Sequence, residues 1–311
     1  MLRNAAREEI RNVAAPLWLL INSTSWPGNR GEFDIIKNGA STITAHLAYC
    51  AIGADEREQR NRAKVVPCRA FQDLLSGEQV DFTDVLRSMD FSDVEVVRTK
   101  FFVAVVISVR TFLLIGVRGT QFAYDWLINF KIAKEKGIGG EYFHAGLLRE
   151  AQELAECLRN QYAKRLADSD FAIYLSGHSL GGAVAAILNQ MQFAAPINAC
   201  YMFGAPRISN LKNFYALYQP FATRRYLDIV PHCPPSTFNY ADFANQKNPN
   251  GDPYVPAGGI ELYFFASWLF DLALNQFPKN HSMERYRLEV LEVVKRHPRV
   301  QNYWRYPDLA P

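Results

Sequence analysis

The distribution of hydrophobic residues divides the chain into short apolar runs and longer segments with helical spacing. Runs rich in β-branched and aromatic residues predict strands over residues 94–99, 101–108, 112–117, 171–175, 199–203 and 225–230. Apolar positions three and four residues apart predict helices over residues 33–54, 143–163, 183–193 and 282–295. Strands that alternate with helices form parallel sheets with helical crossovers, so the pattern predicts an α/β fold with a mostly parallel central sheet flanked by helices.

We interpret residues 1–311 as a single domain, whose N-terminal part, residues 1–90, is mainly helical. Residues 245–259 are rich in Asn, Pro and Gly and predict a long loop. This loop is not interpreted as a linker between domains, because candidate catalytic residues lie on both sides of it. Single α/β domains of about 250 residues or more are common.

Composition excludes several functional classes. Hydrophobic residues make up 49% of the chain, and 34 basic against 31 acidic residues give a net charge of +3. A dedicated nucleic-acid binder usually has a strong basic excess, so no nucleic-acid partner is expected. No uninterrupted apolar run reaches the roughly 18 residues that span a bilayer. The apolar run 13–21 contains Pro16 and follows Glu8 and Glu9, which fits a cleaved signal peptide poorly.

The segment from Gly177 to Gly181 fits the pattern G-x-S-x-G, in which a serine occupies a sharp turn between a strand and a helix. An apolar run precedes the segment, and Gly182 and a helical run follow it. Glycines are needed around the serine because side chains there would clash with neighbouring elements. The pattern therefore predicts Ser179 as a nucleophile.

A nucleophilic serine needs a histidine as base and a carboxylate that orients the histidine. Asp228 lies next to a predicted strand end, where sheets of this kind display functional groups. His281 lies at a junction between a loop and a helix, from which its ring could reach Ser179. We predict these two residues as orienting acid and base. The alternatives are His232 and His297 for the base, and Asp242 and Asp252 for the acid.

Taken in order, the motifs resemble those of the class 3 lipases, the family of the filamentous-fungal triacylglycerol lipases. The matching segments are VRGT at 117–120, DW at 125–126, HAG at 144–146, GHSLGG at 177–182, FGAPR at 203–207 and DIVPH at 228–232, followed by His281. The resemblance extends from about residue 117 to residue 286 and is loose over residues 1–90. It implies an α/β-hydrolase fold with Ser179, Asp228 and His281 as catalytic residues. It also implies an oxyanion hole formed by Thr120 and the backbone N–H of Leu180.

In the lipases that this chain resembles, a short helix after the oxyanion motif acts as a lid. Phe122, Trp126, Leu127 and Phe130 have the spacing of an amphipathic helix, and with His178 they form the predicted lid and substrate-binding set. The alternative is a surface helix that does not move. The apolar segment 262–274 is interpreted as core or as a wall of the acyl pocket.

These residues favour a lipase that cleaves acylglycerols or similar esters, acting on lipid at or near a lipid–water interface. A phospholipase or feruloyl-type esterase is the alternative on the same scaffold. An inactive lipid-binding scaffold is a remote third hypothesis. The chemistry requires no cofactor, and the five cysteines contain no CxxC pair that would indicate a zinc site. The resemblance implies secretion; without it, the poor signal-peptide pattern favours the cytoplasm.

Overall fold

A computed structural model describes residues 2–51, 81–91, 93–119, 133–137, 140–166, 172–191, 197–210, 219–254 and 280–304. Three predicted features lie outside these ranges. They are Thr120 of the oxyanion motif, the lid segment with Phe122, Trp126, Leu127 and Phe130, and the apolar segment 262–274.

The fold is built around a sheet of seven strands. The sheet strands are β1 (Val94–Arg98), β2 (Val103–Val109), β3 (Phe112–Val117), β6 (Ala172–His178), β7 (Ile197–Phe203), β8 (Phe221–Thr223) and β9 (Asn245–Lys247), in that spatial order. Strands β4 (Lys134–Lys136) and β5 (Tyr142–His144) form a separate antiparallel pair. The pairings of β1 with β2 and of β2 with β3 are antiparallel. The other four pairings of this sheet, β3 with β6, β6 with β7, β7 with β8 and β8 with β9, are parallel.

Helices cover both faces of this sheet. They are α1 (Leu2–Asn22), α2 (Ile35–Cys50), α3 (Phe82–Arg87), α4 (Ala145–Leu166), α5 (Leu180–Met191) and α6 (Met283–Val294). One hydrophobic core unites residues of α1, α2, α3 and α6 with one face of the sheet, and a second core unites α4 and α5 with the other face. Neighbouring residues of β2 such as Val105 and Val106 enter different cores, because successive side chains of a strand point to opposite faces. The predicted α/β fold with a mostly parallel sheet is confirmed.

The N-terminal apolar run 13–21 lies within α1, where Val13, Leu17 and Leu20 are buried in the core that α1 shares with α2. Pro16 lies inside this helix. In the part of the chain that the structure describes, no helix is both long and apolar enough to cross a membrane.

The strand predicted over residues 225–230 is wrong. The strand at this edge is β8, which ends at Thr223, and Val230–His232 forms a single turn of 3-10 helix. The Asp228 carboxylate accepts a hydrogen bond from the Val230 backbone at 3.0 Å, and Asp side chains that bond to nearby backbone groups compete with strand pairing. The predicted loop 245–259 also needs a correction, because its first three residues pair with β8 as β9.

Candidate active site

Ser179 connects the end of β6 to the start of α5, as the pattern of glycines predicts. Its φ of +57° is left-handed, a conformation that L-residues rarely adopt, and such strain is typical of functional turns. A Cβ on Gly177 would lie 2.4 Å from the Gly181 carbonyl oxygen, and a Cβ on Gly181 would lie 2.2 Å from the Val117 carbonyl oxygen. Both positions therefore require glycine, because the backbone of another residue passes where a Cβ would lie. The contact of Gly181 with Val117 places the end of β3 directly behind the turn.

The surroundings of Ser179 come from the ends of neighbouring strands. Its backbone N–H donates to the Phe203 carbonyl at the end of β7, at 2.9 Å. A Cβ on Gly119, just beyond β3, would lie 2.9 Å from the Ser179 Cβ. Gly119, the third residue of the predicted oxyanion motif, therefore lies beside the serine. The Ser179 hydroxyl is buried and has no hydrogen-bond partner among the residues that the structure describes.

Asp228 and His281 meet across 53 residues of sequence. The His281 Nδ1 lies 2.9 and 2.8 Å from the two carboxylate oxygens of Asp228. Because the carboxylate accepts the Nδ1 proton, the neutral imidazole keeps an acceptor at Nε2, which is the arrangement that a general base needs. The structure thus brings together the two residues chosen from the sequence as orienting acid and base.

Two further donors hold the Asp228 carboxylate. The Tyr286 hydroxyl, on α6, donates to Oδ2 at 2.7 Å, and the Val230 N–H donates to Oδ1. Burial and the negative charge of Asp228 raise the pKa of Tyr286 well above its usual value, so the phenol stays protonated as a donor. Sequence reasoning missed Tyr286, because at its place in α6 it is indistinguishable from any other buried apolar position.

Gly204, in the FGAPR segment, lies against this pair. It has a φ of +58°, and a Cβ there would lie 2.6 Å from the Asp228 Oδ2 and 3.1 Å from the His281 Cε1. The FGAPR glycine is therefore explained by the space that the acid and the base occupy.

His178, predicted on the substrate side, is buried with 3% exposure and lies between two other side chains. Its ring centroid is 4.5 Å from that of His281, and its Nδ1 is 2.7 Å from the Tyr49 hydroxyl. Tyr49 belongs to α2, in the part of the chain where the family resemblance is loose. Nothing in the local sequence around Tyr49 indicates this contact.

Leu180 is the first residue of α5. The first N–H groups of a helix have no carbonyl partner within the helix and attract negative charge. The Leu180 N–H is therefore suitably placed by the elbow for the predicted role of oxyanion donor, since it follows Ser179 directly.

The alternative acids and bases have other surroundings. Burial, followed by the charges of Arg224 and Arg207, lowers the pKa of His232 to about 4. The ring of His297 accepts a hydrogen bond from the backbone two residues further on. Asp242 forms ion pairs with Arg207 and Arg224.

The buried side chains of Arg207 and Arg224 stabilise the segment that follows Asp228. Arg207 donates to Asp242 at 2.9 Å, and Arg224 donates to the same carboxylate at 3.3 Å. Burial opposes the ionisation of Asp242, but the two arginines outweigh it and lower the pKa of the carboxyl. The same guanidinium groups donate to the backbone carbonyls of Pro231, His232 and Pro234. Charge-assisted hydrogen bonds of this kind are strong, so the two guanidinium groups hold the backbone of residues 231–234, just after Asp228, in one conformation.

Comparison with known proteins supports the family predicted from the motifs. Residues 114–238 match the family described as Lipase (class 3). A secreted mono- and diacylglycerol lipase from Fusarium solani is 29% identical over 157 residues, which is 46% of this chain and 46% of that protein. The chain thus aligns with about half the length of this curated relative.

Solved structures of fungal lipases are also similar. The Rhizomucor miehei lipase propeptide complex matches with a TM-score of 0.43 at 21% identity, covering 70% of each chain. The lipase from Rhizopus microsporus var. chinensis matches with a TM-score of 0.40 at 20% identity, covering 61% of this chain and 73% of that one. The residues matched by the class 3 lipase family, 114–238, include the serine elbow and Asp228.

Proposed function

We propose that this chain is a serine carboxylic-ester hydrolase that cleaves acylglycerols. The observation that carries the proposal is the Asp228–His281 pair, joined at 2.8 Å. The His281 ring lies 4.5 Å from the ring of His178, the residue that directly precedes the left-handed Ser179. A strained serine next to an oriented histidine is the arrangement used for acyl transfer.

In the proposed mechanism, His281 Nε2 takes the proton of the Ser179 hydroxyl while the serine oxygen attacks the ester carbonyl. Asp228 holds the ring in the tautomer with Nδ1 protonated and stabilises the imidazolium that forms. The imidazolium then protonates the leaving alcohol, which leaves an acyl-enzyme. Water, deprotonated by His281, releases the acid and restores the serine. The Ser179 hydroxyl has no hydrogen-bond partner among the described residues. This is compatible with the proposed mechanism, because catalytic hydrogen bonds often form only once substrate is bound.

The oxyanion of the tetrahedral intermediate is assigned to the Leu180 N–H and to Thr120. The position of Leu180 at the start of α5 and the approach of Gly119 to Ser179 both support this assignment. Removing one donor of such a hole costs about 3 kcal/mol of barrier, or roughly a hundredfold in kcat.

The substrate class rests on the family and on the relative from Fusarium solani, whose name gives mono- and diacylglycerols as its substrates. We propose acylglycerols for this chain on that ground, presented at a lipid–water interface, with the lid assigned to Phe122, Trp126, Leu127 and Phe130. The same relative is described as secreted, and secretion is the location proposed here. Immunodetection in separated culture medium and cell lysate tests the location.

Two variants and two substrates test the activity. We expect Ser179→Ala to abolish hydrolysis of tributyrin and labelling by a fluorophosphonate probe. Ser176→Ala is the matched control, because Ser176 is a buried serine of β6, the strand that precedes Ser179, and its hydroxyl donates to the Ile115 carbonyl at 3.1 Å. The proposal fails if Ser179→Ala keeps the wild-type rate. Faster hydrolysis of dispersed phosphatidylcholine than of tributyrin would replace the acylglycerol assignment by a phospholipase.

A further inference from the structure

We propose that Tyr49 and His178 are positioning residues that hold the ring of His281 in its catalytic orientation. The inference rests on the proposed serine hydrolase function, and it assigns part of the active site to α2. No motif predicted from the sequence includes Tyr49, and it precedes the region matched by the family, residues 114–238.

The contacts form a continuous path from α2 to the base. The Tyr49 hydroxyl lies 2.7 Å from Nδ1 of His178, and both groups are buried. The His178 ring packs against the His281 ring in a tilted arrangement, with a centroid distance of 4.5 Å and an interplanar angle of 30°. His178 immediately precedes Ser179, so the surface against which the base packs is fixed to the backbone of the nucleophile.

The direction of the hydrogen bond between Tyr49 and His178 follows from the neighbours of Tyr49. Burial raises the pKa of Tyr49, while the charge of Arg118 and a backbone hydrogen bond from Gly119 act in the opposite direction. An amide N–H can only donate, so the phenol oxygen accepts from Gly119, and we assign the phenol hydrogen to the contact with His178. Nδ1 of His178 is then the acceptor, and the proton of this ring lies on Nε2.

A neutral His178 suits a base that must become charged. Burial lowers the pKa of His178 well below its usual value, and the nearby imidazoles of His281 and His46 lower it further, against a backbone hydrogen bond at His281. A cation at His178 would oppose the imidazolium that forms on His281 in the transition state. The Tyr49 hydroxyl also favours the neutral ring, because it occupies the nitrogen lone pair that a second proton would take.

The His281 ring is therefore confined on several sides. Asp228 holds Nδ1, the His178 ring covers one face, and the backbone of Gly204 approaches Cε1. Asp228 and Gly204 restrict the edges of the ring, and the ring contact with His178 restricts its tilt. Tilt of the base changes the line from Nε2 to the serine oxygen, and a misalignment there lowers the rate of proton transfer rather than the affinity for substrate.

The first test is Tyr49→Phe, which removes the hydroxyl and keeps the ring. We expect kcat for a soluble ester such as p-nitrophenyl butyrate to fall about tenfold, with KM changed by less than about twofold. Tyr174→Phe is the matched control, because Tyr174 is a buried tyrosine of β6 that packs against Trp26 and Phe112. We expect wild-type kcat for this control. The inference is overturned if Tyr49→Phe keeps wild-type kcat, or if the loss appears in KM alone.

The second test asks whether Tyr49 acts through His178. His178→Phe keeps an aromatic face toward His281 but removes the nitrogen that accepts the hydrogen bond. In that background we expect Tyr49→Phe to lower kcat by no more than about twofold further. A full tenfold loss in both backgrounds would show that Tyr49 acts by another route and would overturn the inference.

A measurement on the unmutated protein completes the test. Nitrogen-15 NMR of the histidine side chains at neutral pH reports which ring nitrogen of His178 carries the proton. We expect protonated Nε2 and a hydrogen-bonded acceptor at Nδ1; a proton on Nδ1 overturns the inference. Ser179→Ala separates the two proposals, because an active Ser179→Ala refutes the hydrolase mechanism itself. An inactive Ser179→Ala together with an unimpaired Tyr49→Phe refutes only the positioning role.

Discussion

Replacing Gly204 with alanine should inactivate the protein without unfolding it. The new Cβ would lie 2.6 Å from Asp228 Oδ2, so the carboxylate must move by at least about 0.4 Å to restore even a 3.0 Å contact. His281, whose Cε1 lies 3.1 Å from the same position, must move with it. Misplacement of catalytic groups by about 1 Å can cost a hundredfold, so we expect kcat to fall about 30- to 100-fold.

The left-handed backbone at Gly204 adds a cost in stability of about 1–2 kcal/mol. Gly140→Ala is the matched control, because it has a φ of +85° and the nearest atom to its new Cβ is the Lys136 side chain at 3.5 Å. Urea unfolding should show a similar loss for both variants, while initial rates on p-nitrophenyl butyrate should fall only for Gly204→Ala. The steric reasoning is refuted if Gly204→Ala retains kcat, or if Gly140→Ala loses as much.

Three further predictions concern the supports of the acid. Tyr286→Phe removes a donor to the Asp228 carboxylate, and kcat should fall about tenfold with an unchanged KM; an unchanged kcat would exclude this role. Arg207→Gln leaves Asp242 and two backbone carbonyls without their buried donor, so the free energy of unfolding in urea should fall by about 2 kcal/mol or more. An unchanged free energy of unfolding would mean that Arg224 alone is enough to stabilise this segment. Because the pKa of His232 is about 4 when folded and 6.5 when unfolded, the unfolded state binds more protons between these values, so stability should decrease as pH falls from 6.5 to 4. His232→Gln should flatten this pH dependence of unfolding, and an identical slope in the variant would assign it to other groups.

The parts of the site that could be predicted from the sequence are those whose constraint is local. Gly177 reflects a contact with Gly181 within the turn between β6 and α5, and Gly181 reflects the passage of β3 behind that turn. Both glycines fall within one pentapeptide around Ser179, so a short motif reports them. Asp228 and His281 could be chosen because chain order and position at the ends of elements restrict the candidates.

Other parts depend on contacts between distant residues. Tyr49 and Tyr286 each occupy positions in helices that local sequence cannot distinguish from ordinary core, and only the packing of α2 and α6 gives their hydroxyls a role. The wrong strand at 225–230 has a related cause. Its apolar residues have strand spacing, but the Asp228 side chain takes the Val230 N–H and bends the chain.

The packing of α6 against α2 has a consequence for the biogenesis of the site. Arg287 donates to His46 at 2.9 Å across 241 residues of sequence, and both side chains are buried. Contacts of such long separation form late, since synthesis delivers α2 more than 200 residues before His281. A ribosome-bound chain that ends before residue 280 would hold the proposed nucleophile Ser179 and the proposed acid Asp228 without the proposed base His281. The proposed ester hydrolysis would then begin only after α6 has been synthesised and has packed against α2.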